Sequence, residues 1–288
     1  MDHPSLQSFL ETGKAVLAKG PIGAVLIEDL VEVDSTIRHQ LDAGFRTVLA
    51  FAPPGWQVPD DLAAQVHRIA FDMRAPEALT RALNPLIAAC PETTWLHYCY
   101  NAEYLFFPFC ETRNVRELIA FHAEERRDAM LTYVVDLYAP DLDRSPDAVN
   151  RTEAMLDRSG YFALARKNAA GMPIERQYDF FGGLRWRFEE HVPENRRKID
   201  RIGLFRAQTG LRLRPDHTFN LEEYNTYACP WHHNLTAAIA SFRVAKALKT
   251  NAGSTFDIPS FRWYNSVPFS WQSQQLMDLG LMEPGQWF

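Results

Sequence analysis

Apolar and polar positions fall into short blocks along this chain. Ile22 to Ile27 is an apolar run rich in branched side chains, the pattern of a strand buried on both faces. Asp34 or Ser35 then caps a helix carrying Ile37, Leu41 and Phe45 at a spacing of four, with Gly44 as its stop. Thr47 to Ala52 reads as a second strand, closed by Pro53-Pro54-Gly55. Two strands joined by a helical crossover make a βαβ unit and a layered α/β domain.

The alternation continues. It predicts strands at Val66 to Phe71, Trp95 to Tyr100 and Met130 to Tyr138, with helices at Pro76 to Ala89 and Arg113 to Arg127. Ser145-Pro146 opens a further helix expected to end near Gly160. Beyond it, Gly182-Gly183 sits between aromatic runs, which suggests a hairpin or a close approach of two backbones. Thr226 to Trp231 reads as a strand and Asn234 to Leu248 as an amphipathic helix. No repeat or linker breaks the chain, so residues 1–250 are expected to form one domain, with 251–288 an aromatic extension packed on it.

Composition changes this picture little. Apolar residues make up 47% and charged residues 23% of 288, as in ordinary folded domains. A formal net charge of -6 argues against general nucleic-acid binding, which needs a positive face. Asp2, Glu11, Lys14 and Lys19 interrupt the early apolar runs, so no secretion signal is expected; the most apolar later stretch, Trp95 to Phe109, is broken by Asn101 and Glu103 and is too short to span a bilayer. Cys90, Cys99, Cys110 and Cys229 form no C-x-x-C pair and read as buried thiols of a cytoplasmic protein.

Candidate chemistry concentrates after Trp95. There an apolar strand meets the polar step Tyr100-Asn101-Ala102-Glu103 and resumes as Tyr104-Leu105-Phe106-Phe107. In a layered sheet, ligands sit outside the carboxyl ends of the strands. This stretch resembles the hydrophobic strand and Asp-x-Asp-Glu-Phe-Leu of bacterial family 2 glycosyltransferases, which have the GT-A fold. Gly182-Gly183-Leu184-Arg185-Trp186-Arg187-Phe188, Arg197-Lys198-Ile199 and Trp231-His232-His233 follow in the family's order. The resemblance covers about residues 20 to 250. It implies a three-layer α/β/α fold with a mostly parallel central sheet, and transfer of a sugar from a nucleotide-diphosphate donor to a carbohydrate hydroxyl, as in surface-polysaccharide synthesis.

The family holds magnesium or manganese on its aspartates, because a divalent cation stabilises the leaving diphosphate. Here those positions are Tyr100 and Ala102, so the degenerate motif leaves Glu103, with Asn101 as a weaker oxygen donor and His232 as an imidazole ligand. Glu28 and Asp29 end the first strand, where an acid accepts hydrogen bonds from a nucleoside or simply stays solvated. The basic stretch from Arg196 to Arg214 is either a solvated run or a phosphate site, with Lys198 at the family's basic position and Arg206 further along the run. His217 is a second donor-side candidate. Asp179 and Asp216 are the acids available as a general base. The alternative function is a non-catalytic, transferase-like scaffold that binds carbohydrate or a partner protein.

Overall fold

The computed structural model describes residues 1–226 and 234–287 of a mixed α/β chain whose central sheet is largely parallel. The chain forms two units, each assembled from separated stretches. Met1–Leu105, Thr112–Leu131 and Ile202–Asn225 make the first; Phe106–Glu111, Thr132–Arg201 and Thr226–Phe288 make the second. The expected boundary at residue 250 falls inside the second unit.

In the first unit the strands are β1 (Asp2–His3), β2 (Ile22–Leu26), β3 (Thr47–Ala52), β4 (Val66–Ala70) and β5 (Trp95–Tyr100). They lie side by side in the order β1-β4-β3-β2-β5, all parallel. Leu204 to Arg206 adds an antiparallel neighbour to β5. Every residue of β2, β3 and β5 is buried, because both faces of the sheet are covered. Ala24, Leu26, Leu49, Phe51, Tyr98 and Tyr100 pack with Phe9 of α1 (Leu6–Thr12) and with Leu83 and Ile87 of α3 (Ala78–Ala89). Val25, Ile27, Val48, Ala50 and Cys99 pack with Val33 and Ile37 of α2 (Val33–Asp42). A continuous apolar run is what such a doubly covered strand requires.

Several boundaries differ from the sequence reading. Helix α2 starts before Asp34, with Glu32 at its N-cap in a left-handed conformation (φ 56°). Gly44 does end it, at φ +101°, a geometry that glycine adopts without a steric penalty. Helix α4 (Val115–Glu124) is shorter than expected, its start fixed by an Asn114–Glu117 capping box. Strand β1 and helix α1 had no local signal. The two residues of β1 become a strand only through β4, where Arg68 grips Asp2 at 2.7 Å and His3 meets His67 at 3.1 Å.

After the turn at residues 101–102 comes β6 (Glu103–Phe106), and later β7 (Ala129–Tyr138), which belongs to the second unit from Thr132 onward. Further strands are β8 (Met155–Asp157), β9 (Phe162–Lys167), β10 (Pro173–Phe181), β11 (Asp200–Arg206), β12 (Ala237–Ser241) and β13 (Ser266–Pro268). Two helical expectations fail here. Residues 147–153 are tied into turns by Asp147 and Asn150 side chains, and Met155–Asp157 pairs antiparallel with β7 and β13 instead of closing a helix. Ala237–Ser241 is a buried strand parallel to β7, and only Arg243–Thr250 is helical. A short apolar run buried on both faces cannot be told from a helix by periodicity alone. The strand expected at Thr226 to Trp231 lies mostly outside the described residues.

The glycine pair is a close approach rather than a hairpin turn. A Cβ on Gly182 (φ +155°) would come within 2.2 Å of the Tyr161 ring, and one on Gly183 (φ +63°) within 2.9 Å of Asp136 Oδ2. Residues after Asn251 are an ordered wrap that buries Phe261, Phe269 and Leu276. No described helix is long and apolar enough to cross a membrane. Cys90 and Cys110 are thiols, each pushed up to about 12 by burial.

Candidate functional site

The first unit has one place where its strand order reverses. The chain runs from β2 outward to β3 and β4, then returns to lay β5 on the other side of β2. Between the carboxyl ends of β2 and β5 the two crossovers leave to opposite faces, and ligands of open α/β sheets bind in the crevice this creates. Glu28, Asp29 and Asn101 are all placed at this mouth.

Asn101 joins the two strand ends and is fully buried. Its Oδ1 accepts the Glu28 N–H at 2.9 Å, while its Nδ2 donates to Asp29 Oδ1 at 2.7 Å and to the Val31 carbonyl at 2.9 Å. Asp29 Oδ1 also accepts the Val31 N–H at 2.9 Å, closing a small ring of bonds. The partners fix the amide's orientation, since one side must accept and the other must donate. Asn101 therefore holds the mouth in shape rather than offering itself to a ligand.

Arg74, which the sequence reading passed over, stands at the same mouth. It follows β4 by four residues; its N–H is held by Asp72 at 2.9 Å and its Nε donates to the Glu28 carbonyl at 3.2 Å. Arg74 is exposed. A guanidinium anchored through Nε presents a planar fork suited to a phosphate or carboxylate. The available signal was position alone: a basic residue just past the carboxyl end of a parallel strand.

Glu103 is buried too, and its Oε2 accepts the Tyr100 N–H at 2.8 Å across the turn whose corner is Ala102 (φ +61°). The Ala102 N–H donates to Thr36 Oγ1 at 2.8 Å. Tyr104 hydroxyl contacts Ser35 Oγ at 2.8 Å and Glu32 at 3.3 Å, so the aromatic resumption of the motif locks the start of α2. One Glu103 oxygen is therefore engaged within its own turn, beside an Asn101 amide that already has three partners. His232, the other expected metal ligand, lies outside the described residues.

Neither family models nor curated proteins match this chain. Its chemistry has to be read from its own geometry.

Among the remaining candidates, Arg206 is misplaced for a donor contact. It pairs with Asp128 at 2.9 Å and lies opposite Trp95, at the amino end of β5, about 17 Å of extended chain away from the mouth. The antiparallel register is the cause. His217 (φ +66°) sits against the face of β5, its Nδ1 2.9 Å from the Tyr98 hydroxyl and its ring stacked on that tyrosine. Asp216 is exposed, and its Oδ1 accepts from the Thr218 N–H and hydroxyl in a tight turn.

Asp179 and Lys198 belong to the second unit, and there the structure does bring them together. Asp179 Oδ1 lies 3.2 Å from Lys198 Nζ and 2.8 Å from Arg166, which also reaches Asp200 at 3.2 Å. Burial pushes the Asp200 carboxyl up, against the Phe180 N–H that it accepts at 2.7 Å and the two cations. The cluster staples β9 and β10 to the start of β11. Two more buried acids are similarly matched with arginines. Asp136 Oδ1 lies 3.3 Å from Arg185 Nε, and Asp157 Oδ2 lies 2.8 Å from Arg187 Nε. Asp157 Oδ1 also accepts from the Tyr138 hydroxyl at 2.5 Å and from Trp263 Nε1 at 2.7 Å.

Proposed function

We propose that the first unit binds a nucleotide at the β2–β5 mouth, and that the protein is a glycosyltransferase moving a sugar from a nucleotide-diphosphate donor to a carbohydrate hydroxyl. The reading rests on one observation: a strand-order reversal with Glu28 and Asp29 at its lip and Arg74 anchored beside them. Carboxylates suit ribose or base hydrogen-bond donors, and the guanidinium suits the diphosphate. With one Glu103 oxygen and the Asn101 amide already engaged, the charge of the leaving diphosphate falls to arginine in this scheme rather than to a metal.

The test is direct binding of nucleoside diphosphates and their sugar conjugates, followed by calorimetry and thermal unfolding with and without manganese. At a hundredfold excess over Kd, a ligand of the folded state adds about 2.7 kcal/mol of stability. Arg74→Ala should weaken binding by about tenfold or more, as expected for a lost charge-assisted contact. A panel of donors that leaves the unfolding transition unmoved at millimolar concentration overturns the proposal.

A second reading has its own support. Glu103 is buried and Lys198 is neutralised by Asp179, so two residues of the family's motifs serve the fold. A non-catalytic scaffold that binds a nucleotide-sugar or a glycan without transfer would be built this way. Turnover of a donor that Arg74→Ala abolishes would exclude it.

A further inference from the structure

We infer that the His3–His67 pair is a proton-operated latch, which holds β1 on the outer edge of β4 at neutral pH and releases it in acid. Strand β4 pairs with β3 on one side and with β1 on the other. The β1 pairing is two residues long, Asp2 opposite Arg68 and His3 opposite Ile69. So short a strand gains little from its own ladder, and side chains decide whether it stays. His3 Nε2 lies 3.1 Å from His67 Nδ1, with both residues buried. The two rings stack at 5.4 Å, and Phe9 of α1 meets each edge-on, at 5.1 and 5.6 Å.

An imidazole nitrogen either donates or accepts. Two neutral rings make this bond, and so does a pair with one added proton, in which the charged ring donates. A second proton sets two N–H groups against each other at 3.1 Å, in a site shut off from water. The groups facing the pair do little to offset that charge. Strand β1 brings the Met1 amine, bonded to the Val66 and Ala63 carbonyls, and Asp2, which pairs with Arg68 of β4 at 2.7 Å. Strand β3 sets Leu49 beside His67. Helix α1 adds the uncharged Phe9, and its Glu11 is bonded to Gln7 at the surface.

Burial, the neighbouring His3 and the terminal amine push His67 down to about 4, while burial and the amine lower His3 against the pull of Asp2. Once released, both rings return towards the ordinary value of about 6.5. Because the docked values are depressed, the hold is complete above about pH 6.5 and is lost as pH falls through about 4. His67 alone then raises the opening constant of β1 on the order of a hundredfold across this window. Departure of β1 frees the Arg68 N–H from the Met1 carbonyl, 2.8 Å away when docked. It also turns β4 into a terminal strand with an open edge.

The experiment uses the full chain. Amide hydrogen exchange is followed by NMR from about pH 7 to about pH 4, corrected for the intrinsic pH dependence of exchange. The Arg68 amide should lose protection about tenfold or more while the amides of Ile22–Leu26 keep theirs. His67→Asn retains an acceptor near the Nδ1 position and removes the titrating ring, so it should flatten the Arg68 response by about tenfold or more. His3→Gln retains a donor near Nε2 and removes the charged neighbour, so the His67 imidazole resonances should titrate at higher pH than in wild type. The wild-type and His3→Gln measurements stand even if His67→Asn misfolds. An Arg68 amide that loses protection only together with Ile22–Leu26 overturns the inference. So does a separate loss that His67→Asn leaves unchanged, or a His67 titration that His3→Gln does not move.

Discussion

Asn101→Asp is the sharpest probe of the β2–β5 mouth. The substitution preserves shape and keeps an acceptor for the Glu28 N–H, but turns the donating side of the amide into an oxygen. That oxygen would face Asp29 Oδ1 and the Val31 carbonyl, now 2.7 and 2.9 Å from Nδ2. One lost bond goes to a charged acceptor, about 1.5–3 kcal/mol, and one to a neutral acceptor, about 0.5–1.5 kcal/mol. Repulsion between two adjacent carboxylates adds to the loss. About 4 kcal/mol at mildly alkaline pH is therefore expected, a large part of the roughly 5–15 kcal/mol that holds a typical domain together. The sign of the pH effect follows from linkage. The introduced carboxyl would have its folded pKa raised above its unfolded value, so the penalty is complete above the folded pKa. It shrinks as pH falls towards the unfolded value, where a protonated carboxyl can again donate. Urea denaturation near pH 8 and near pH 5, followed by tryptophan fluorescence, measures both quantities. A loss below about 1 kcal/mol, or a deficit that does not change with pH, would refute the pinning role of Asn101.

Three further outcomes are expected. Arg187→Met leaves Asp157 buried without its ion-pair partner, and equilibrium unfolding should register a loss of about 3–5 kcal/mol; a loss under about 1 kcal/mol would mean the pair contributes no more than a surface one. Burial pushes His122 down to about 4, with its Nε2 on the Ala129 carbonyl and its Nδ1 enclosed without a partner. Since this folded pKa is depressed, the stability it supports is present above about pH 6.5 and is lost as pH falls through about 4. His122→Leu should then show a shallower decline over that window, and identical slopes would count against the assignment. Gly182→Ala should destabilise far more than Gly55→Ala, since a Cβ at Gly182 meets the Tyr161 ring at 2.2 Å whereas at Gly55 (φ +113°) nothing lies within 4 Å. Equal melting temperatures for the two variants would contradict the close approach.

The sheet of the first unit was legible because its strands are buried on both faces. Ile22–Leu26 and Thr47–Ala52 announce themselves as unbroken apolar runs, and Gly44 marks the stop of the helix between them. What escaped depends on distant partners. Asp2–His3 is a strand only because Arg68 and His67 hold it. Ala237–Ser241 looks helical until β7 is beside it. At the candidate site, the sequence located Glu28, Asp29 and Asn101 at strand ends but could not say that Asn101 faces inward with every polar atom engaged. Lys198 and Asp179 were both named, yet for different tasks, and their 3.2 Å contact is invisible without the fold. Arg206 was judged by its neighbours in sequence, while the antiparallel register sends it to the far end of β5.

The first unit takes its third segment from far along the chain. Leu204–Arg206 closes the flank of β5, and Leu211, Leu213, Phe219 and Tyr224 complete the core on one face of the sheet. Roughly 100 residues separate β5 from that segment, so at about 5–20 residues per second the ribosome supplies it about 5–20 s later. During this interval the nascent sheet has an open flank and an uncovered apolar face, the kind of surface that chaperones recognise. Cooperative folding of the first unit should accordingly begin only once Asn225 has cleared the exit tunnel, well after its five parallel strands have been made.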